Sequence, residues 1–306
     1  MILTQEQISN VLLEFDKHHL MFVVSNIGEN VLSLEEKLTL RKLGIDVSKL
    51  YTRFPSYTQA FYFGRLAQIL GSKNTATLNY SDLLKYLKNS QYEPLNTLEE
   101  ETLHLSQQRT YSHLKNLEAR QRDAIGNVLN RAQYESIVGE AISEGISKRQ
   151  TAQQVVSAIG HMTGDWNRDL GRIAETEMQS LYNLGRLNRI IADYGNDCWV
   201  YKQTYPQACR HCIALHLTHG IGSKPILFHP MELIQNGTNI GRKVADWKAT
   251  VDAEHPFCRC EIMVVLPGQV WSEEKGIFVY SKEGWQRKVE RKSKIHIQVG
   301  DKHFDV

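Results

Sequence analysis

"VDAEHPFCRC" (residues 251–260) sets one histidine and two cysteines within six residues, in a chain with only five cysteines in all. Upstream, "CRHC" (209–212) holds two more. A C-x2-C pair places two sulfurs on one tight turn with backbone amides pointing at them, which is half of a tetrahedral thiolate site. The 255–260 stretch supplies the other half. Four donors drawn from Cys209, Cys212, His255, Cys258 and Cys260 complete it, using either both late cysteines or His255 with one of them. Pro256 would set the turn that brings His255 and Cys258 to one side, with Arg259 pointing away. The gap of residues 213–257 is much longer than in a zinc ribbon, so the intervening segment must be a small structure of its own, clipped at its base.

Other fates for the cysteines compete with a metal. Buried free cysteines act as small hydrophobes, but neighbours such as Arg210, His211, Pro256 and Arg259 do not look like core positions. A disulfide fits an oxidising place. A redox C-x-x-C expects a helix N-terminus and a thioredoxin-like βαβ context, neither of which is visible in the sequence. Structural zinc contributes about 10–16 kcal/mol in small peptides, against ~5–15 kcal/mol for a whole domain, so a unit with few strands could owe its fold to such a clip. A catalytic zinc needs an open coordination position and a nearby base. Glu254 and Glu261 are adjacent, but the chain has no H-E-x-x-H and no H-x-E before a P-C-x-x-C, the signatures of metal hydrolysis and base deamination.

The rest of the chain is a frame for that module. At 306 residues, with 42% hydrophobic and 23% charged residues, it has the composition of a folded protein of about two domains. The net charge of +2 carries no signal for nucleic acid. The opening "MILTQEQISNVLLEFDKHH" lacks a basic stretch followed by an unbroken apolar one, and reads as neither a signal peptide nor a membrane span. In a reducing cytosol clustered cysteines are more often metal ligands or catalytic groups than disulfides.

Residues 1–95 read as a helical domain. Thr4 with Gln7 and Ser33 with Glu36 are capping-box pairs ahead of apolar-periodic runs. A third helix, "YTQAFYFGRLAQIL", ends at Gly71, and a fourth begins near Ser81. Residues 96–164 form a long helical segment, with Thr97 and Glu100 at its start and sparse apolar residues: Leu103, Leu114, Leu117, Ile125, Val128, Leu129, Ile137 and Val138. So charged a run lies against a neighbouring chain or bridges parts of an assembly, or else it is one face of a bundle, as one rod or two helices. Ser147 with Gln150, and then Asp165, are further caps. Leu170, Ile173, Ala174, Met178, Leu181, Leu184, Leu187 and Ile191 recur at steps of three and four, an amphipathic stripe that stops at Gly195.

Beyond Gly195 "CWVYKQTY", "EIMVVL", "GIFVY" and "KIHIQV" are strand-like, with Asn236-Gly237 as a turn. Residues 165–270 therefore make a module whose compact part, from 196, is α+β, and 271–306 a strand-containing tail. The expected class is a mainly α N-terminal two thirds with a small α+β, metal-clipped C-terminal module. No phosphate loop and no G-x-S-x-G elbow is present.

"RIAETEMQSLYNLGRL" (172–187), the C-x2-C at 209–212 followed by "IALH", and "HPFCRC" (255–260) together resemble the phage head morphogenesis family related to the F protein of phage Mu. The likeness covers about a third of the chain, residues 165–266. It implies a minor head protein of a tailed phage, made in the host bacterial cytoplasm and carried in the virion in a few copies. The implied partners are the portal and major capsid proteins, in head assembly, DNA packaging or ejection. The expected metal is structural zinc, and no membrane and no catalysis are expected. Arg186, Arg189, Arg210, Lys224, Arg242, Lys243 and Arg259 are candidates to touch packaged DNA without reading its sequence. The alternative is a nuclease of the ribonuclease-like toxin class, since related modules occur at the ends of bacterial toxins. His211, His216 or His255 would then be acid or base, with His219 and His229 crowding the same segment.

Overall fold

The computed structural model describes residues 5–50, 54–75, 77–89, 92–142, 169, 172–173, 175–284, 296–299 and 301–305. Thr4, Ser147, Gln150, Asp165, Leu170 and Ala174 lie outside the described residues, as do the side chains of Val128, Leu129, Ile137 and Val138. A mainly helical N-terminal region is followed by a smaller α+β region that carries the cysteine and histidine clusters. No helix among the described residues is long and apolar enough to cross a membrane.

The chain gathers into two compact units, each built from two segments: Met1–Tyr57 with His104–Ala174, and Thr58–Leu103 with Glu175–Val306. The first unit holds α1 (Gln5–Asn26), α2 (Leu34–Lys42), α3 (Val47–Leu50) and most of a long helix, α6 (Thr97–Ile142). Ser33 and Glu36 form the capping box the sequence announces, with the Glu36 amide donating to Ser33 Oγ and the Ser33 amide to Glu36 Oε2. Leu20, Val23, Val24, Ile27 and Leu40 are buried, as are Leu114, Leu117 and Ile125 of α6 in the same unit. The apolar face of α6 is therefore spent within its own chain as far as Ile125, as one face of a bundle, and α6 is one continuous helix rather than two. Polar links finish the packing. Gln107 donates to the Ile27 carbonyl at 2.8 Å, Tyr111 and Lys115 both reach Glu36, and His19 Nε2 lies 3.3 Å from Glu118 Oε2. Burial pushes the Glu36 carboxyl up, but hydrogen bonds from Lys115, Tyr111 and Ser33 outweigh it and hold the group down at about 2.

In the second unit, α4 (Ser56–Thr75, counted here from Thr58) and α5 (Tyr80–Lys88) join a helix over 175–194, α7. The helical run of α4 does not end at Gly71; it kinks there, where φ is 75°, and resumes to Thr75. The cap of α6 also sits one residue earlier than the Thr97/Glu100 expectation: Asn96 and Glu99 exchange backbone and side-chain hydrogen bonds at 2.9 and 3.0 Å. Asn96 stands immediately before the first helical residue, where a side-chain acceptor reaches the third amide.

Two short matching sequences, "FGRL" (63–66) and "LGRL" (184–187), decide how α4 meets α7. A Cβ on Gly64 would stand 2.0 Å from the Tyr182 carbonyl oxygen, and one on Gly185 would stand 2.1 Å from that of Phe61. Only glycine lets the two backbones touch there. The arginines that follow are both buried and paired, Arg65 with Glu99 (3.0 Å) and Arg186 with Glu261 (2.8 Å).

Helix α7 stops at Gly195, and the chain turns into β1 (Val200–Gln203). β1 pairs antiparallel with β2 (Glu261–Val264) in the register Val200 to Val264, Lys202 to Ile262. Between these strands lie α8 (Arg210–His216) and α9 (Pro230–Gln235). Val200, Ile262, Leu233, Ala249 and Val251 close over Leu187 and Ile190 of α7, the core that seats the module. Two further antiparallel hairpins follow, β3 (Gln269–Ser272) with β4 (Ile277–Tyr280) and β5 (His296–Val299) with β6 (Lys302–Asp305). β6 is tied to α5 by Lys302, 2.9 Å from Asp82. The stripe expected on α7 holds at Leu181, Leu184, Leu187 and Ile191, but Met178 is 38% exposed and Ile190 is buried instead.

Candidate metal centre

Cys209 is the N-cap of α8, in extended backbone with φ −70°, and its sulfur accepts the Cys212 amide at 3.5 Å. This single turn sets both sulfurs on one side, as the C-x2-C spacing requires. The helix N-terminus that the redox reading expected is therefore present. The parallel βαβ context is not, because the flanking strands β1 and β2 are antiparallel.

The second cluster folds as a tight turn, in which the Cys258 amide donates to the His255 carbonyl at 3.0 Å. Phe257 within it has φ 62°, the one non-glycine residue with positive φ among the described residues. His255 Nδ1 stands 2.8 Å from the Pro256 carbonyl oxygen, which can only accept, so Nδ1 carries the proton and Nε2 offers its lone pair. That Nε2 lies 3.2 Å from Cys209 Sγ and 3.2 Å from Cys212 Sγ. Cys212 Sγ is in turn 3.7 Å from Cys258 Sγ. All five predicted donors thus meet, as two groups that share Cys212: Cys209, Cys212 and His255, and Cys212, Cys258 and Cys260, each with donor atoms within 4.8 Å of one another. These are the groups among the described residues that can hold a metal ion.

Cys212, Cys258 and Cys260 are buried, whereas Cys209 and His255 are half-buried at the rim. All five cysteines of the chain are free thiols, including Cys198, which lies outside both groups. Thiol-to-thiol hydrogen bonding pulls the buried three apart in acidity: the bonds from Cys212 and Cys260 hold Cys258 down, and the bond to Cys258 drives Cys212 up. Several thiolates in so small a space repel one another unless a cation sits among them. The donor set, soft sulfur with one imidazole, suits a divalent ion of that preference.

A polar ridge of α7 presents the second cluster. Asn183 donates to the Cys260 carbonyl at 3.0 Å and accepts the Ile262 amide at 3.3 Å, Ser180 accepts the Ala253 amide at 3.0 Å, and Thr176 accepts that of Phe257 at 3.3 Å. Sequence reasoning passed over these residues. The signal was there, since Thr176, Ser180 and Asn183 recur at helical spacing beside the apolar stripe.

The remaining candidates separate. Arg186 is buried against Glu261 and Gln68, and Arg189 is paired with Glu93 and Asp193, so neither is a free cation for DNA. Arg210, Lys224, Arg242, Lys243 and Arg259 are exposed. His211 stands edge-on to Trp247 with ring centroids 5.4 Å apart, His229 stacks on Trp199 at 4.0 Å, and His219 is exposed. His216 is fully buried, with Nε2 3.3 Å from Glu254 Oε1. Of the three histidines proposed as acid or base, His216 is enclosed, while His211 and His255 stand against the same Trp247, His255 stacked on it at 6.1 Å with its Nε2 among the sulfurs. Comparison with protein-family models, curated proteins and solved structures finds no match to this chain.

Proposed function

We propose that the chain is a structural protein whose C-terminal module is clipped by one zinc ion, and that it serves as a minor head protein of a tailed phage. The observation that carries the zinc is the convergence of Cys209, Cys212, His255, Cys258 and Cys260, from two segments more than forty residues apart, around the Cys212 sulfur. The structural role is supported by what surrounds them. Glu254, the neighbour a catalytic zinc would use as base, has both carboxylate oxygens occupied by buried donors, and Glu261 is committed to Arg186. A hydrolytic centre needs a base free to take a proton from water. The head-protein role rests on the resemblance carried by residues 172–187, 209–215 and 255–260. On this reading the portal and major capsid proteins are its partners, and Arg210, Lys224, Arg242, Lys243 and Arg259 are the cations left to face DNA.

Two measurements test the proposal. Elemental analysis of the purified chain should give about one zinc per molecule, as expected of a closed four-ligand site; a metal-free chain with five titratable thiols refutes the clip. Co-expression with the neighbouring genes of the same phage genome should recover the chain with the portal protein. Recovery instead with an inhibitor protein, together with ribonuclease activity lost on His211→Ala, would establish the toxin alternative.

A further inference from the structure

Glu254 is 2% exposed, and every side of its carboxylate is engaged. Oε1 lies 3.1 Å from Lys202 Nζ, accepts the Thr250 amide at 3.1 Å and stands 3.3 Å from His216 Nε2. Oε2 accepts from Asn239 Nδ2 at 2.6 Å and from the Thr250 hydroxyl at 3.3 Å. Lys202, itself fully buried, also donates to the Asp252 carbonyl. The strand register explains the lysine, because alternation along β1 sends Val200 and Lys202 to the same inward face.

The partners come from separate parts of the module: β1, the C-terminal end of α8, the turn at 236–241, and the start of the loop that carries His255. Helix α8 bears Cys209 and Cys212 at its other end, and Glu254 immediately precedes His255. The two segments that meet at the sulfurs therefore meet a second time, through Glu254. A buried ion pair with its remaining valences satisfied is held in the folded state, while removal of one member leaves a charge without compensation.

We infer that Glu254 is the positioning residue of the metal centre: it holds α8 and the His255 loop in register whether or not an ion is bound, so the module is folded before metal arrives and the site loads reversibly. This rests on the metal reading of the five donors. It sets the module apart from zinc fingers, in which binding free energy is folding free energy.

The full-length chain is stripped with a chelator and followed by amide hydrogen exchange over 200–265. It is then titrated with cobalt(II), read by the sulfur-to-cobalt charge-transfer band and the tetrahedral ligand-field bands. Stripped wild type should keep its protection in β1, β2 and 250–254, and should take up cobalt. Glu254→Gln leaves Lys202 unpaired: the stripped variant should lose protection in those segments and bind cobalt roughly 10- to 100-fold more weakly. Lys202→Met/Glu254→Gln, which removes both charges, should regain most of the affinity. Stripped wild type that is as unprotected as Glu254→Gln overturns the inference, as does Glu254→Gln with wild-type cobalt affinity. Wild type that is protected yet shows no cobalt bands overturns the metal reading itself and the positioning role with it, an outcome distinct from the other two.

Discussion

Asn183→Ala should loosen the module more than truncation of Met178 on the same helix. The side chain is buried, donates to the Cys260 carbonyl at 3.0 Å and accepts the Ile262 amide at 3.3 Å, so truncation strands the Ile262 amide and leaves the Cys260 carbonyl with only the longer bond from Gln179 at 3.5 Å. A buried polar group left unpaired costs about 1–3 kcal/mol and a lost hydrogen bond about 1 kcal/mol, which puts the variant about 2–4 kcal/mol below wild type. At about 2–4 °C per kcal/mol for a unit of this size, the midpoint of thermal unfolding should fall by about 4–16 °C. The control is Met178→Ala on α7, a position that periodicity assigns to the core and the fold leaves 38% exposed; it should stay within about 0.5 kcal/mol. Urea unfolding followed by tryptophan fluorescence, with hydrogen exchange at the Ile262 amide, reads both. If Asn183→Ala and Met178→Ala were equal in stability, the polar ridge would not be what seats the cysteine loop.

Gly185→Ala places a methyl group 2.1 Å from the Phe61 carbonyl oxygen and should cost at least about 3 kcal/mol in denaturant unfolding, as overpacking against backbone does. Gly126→Ala, in α6 with no atom of the described residues outside its own helix backbone and chain neighbours within 4 Å of the new Cβ, should stabilise by up to about 1 kcal/mol. Cys198→Ser should leave the metal content unchanged, because Cys198 belongs to neither donor group. A pH effect is masked at His19 and Glu118. Burial holds His19 down at about 4, so stability is lost as pH falls from the unfolded histidine value toward 4; burial also holds Glu118 up at about 7, so its protonation offsets that loss over the same window. Glu118→Gln removes the offset, and urea titrations between pH 6.5 and 5 should then show stability falling by about 1 kcal/mol per pH unit, against a nearly flat wild type.

Much of the local structure was legible because local rules governed it. Ser33 and Glu36 cap α2 as their spacing says, β1, β2, β4 and β5 fall in the four strand-like runs, and the two cysteine clusters meet. Errors arose where one residue's choice is nearly degenerate. Asn96 competes with Thr97 for the cap of α6, and only the turn geometry separates them. Gly71 breaks the helical dihedrals without ending the run. Hairpin partners β3 and β6 carry too little alternation to be seen alone, and become strands because β4 and β5 pair with them.

Residue order by itself determined the fold class, the positions of most helices and the two clusters whose five residues converge, since each depends on chemistry spread over a few neighbouring residues. Tertiary structure alone decided that the units are drawn from interleaved segments, that Gly64 and Gly185 sit where helix backbones approach closely, and that His255 groups with Cys209 and Cys212 while Cys258 and Cys260 form a second group with Cys212. It also decided that a lysine and a glutamate belong to the core, because a charge can be buried only where distant segments bring its partners, and spacing along one chain does not say which segments meet.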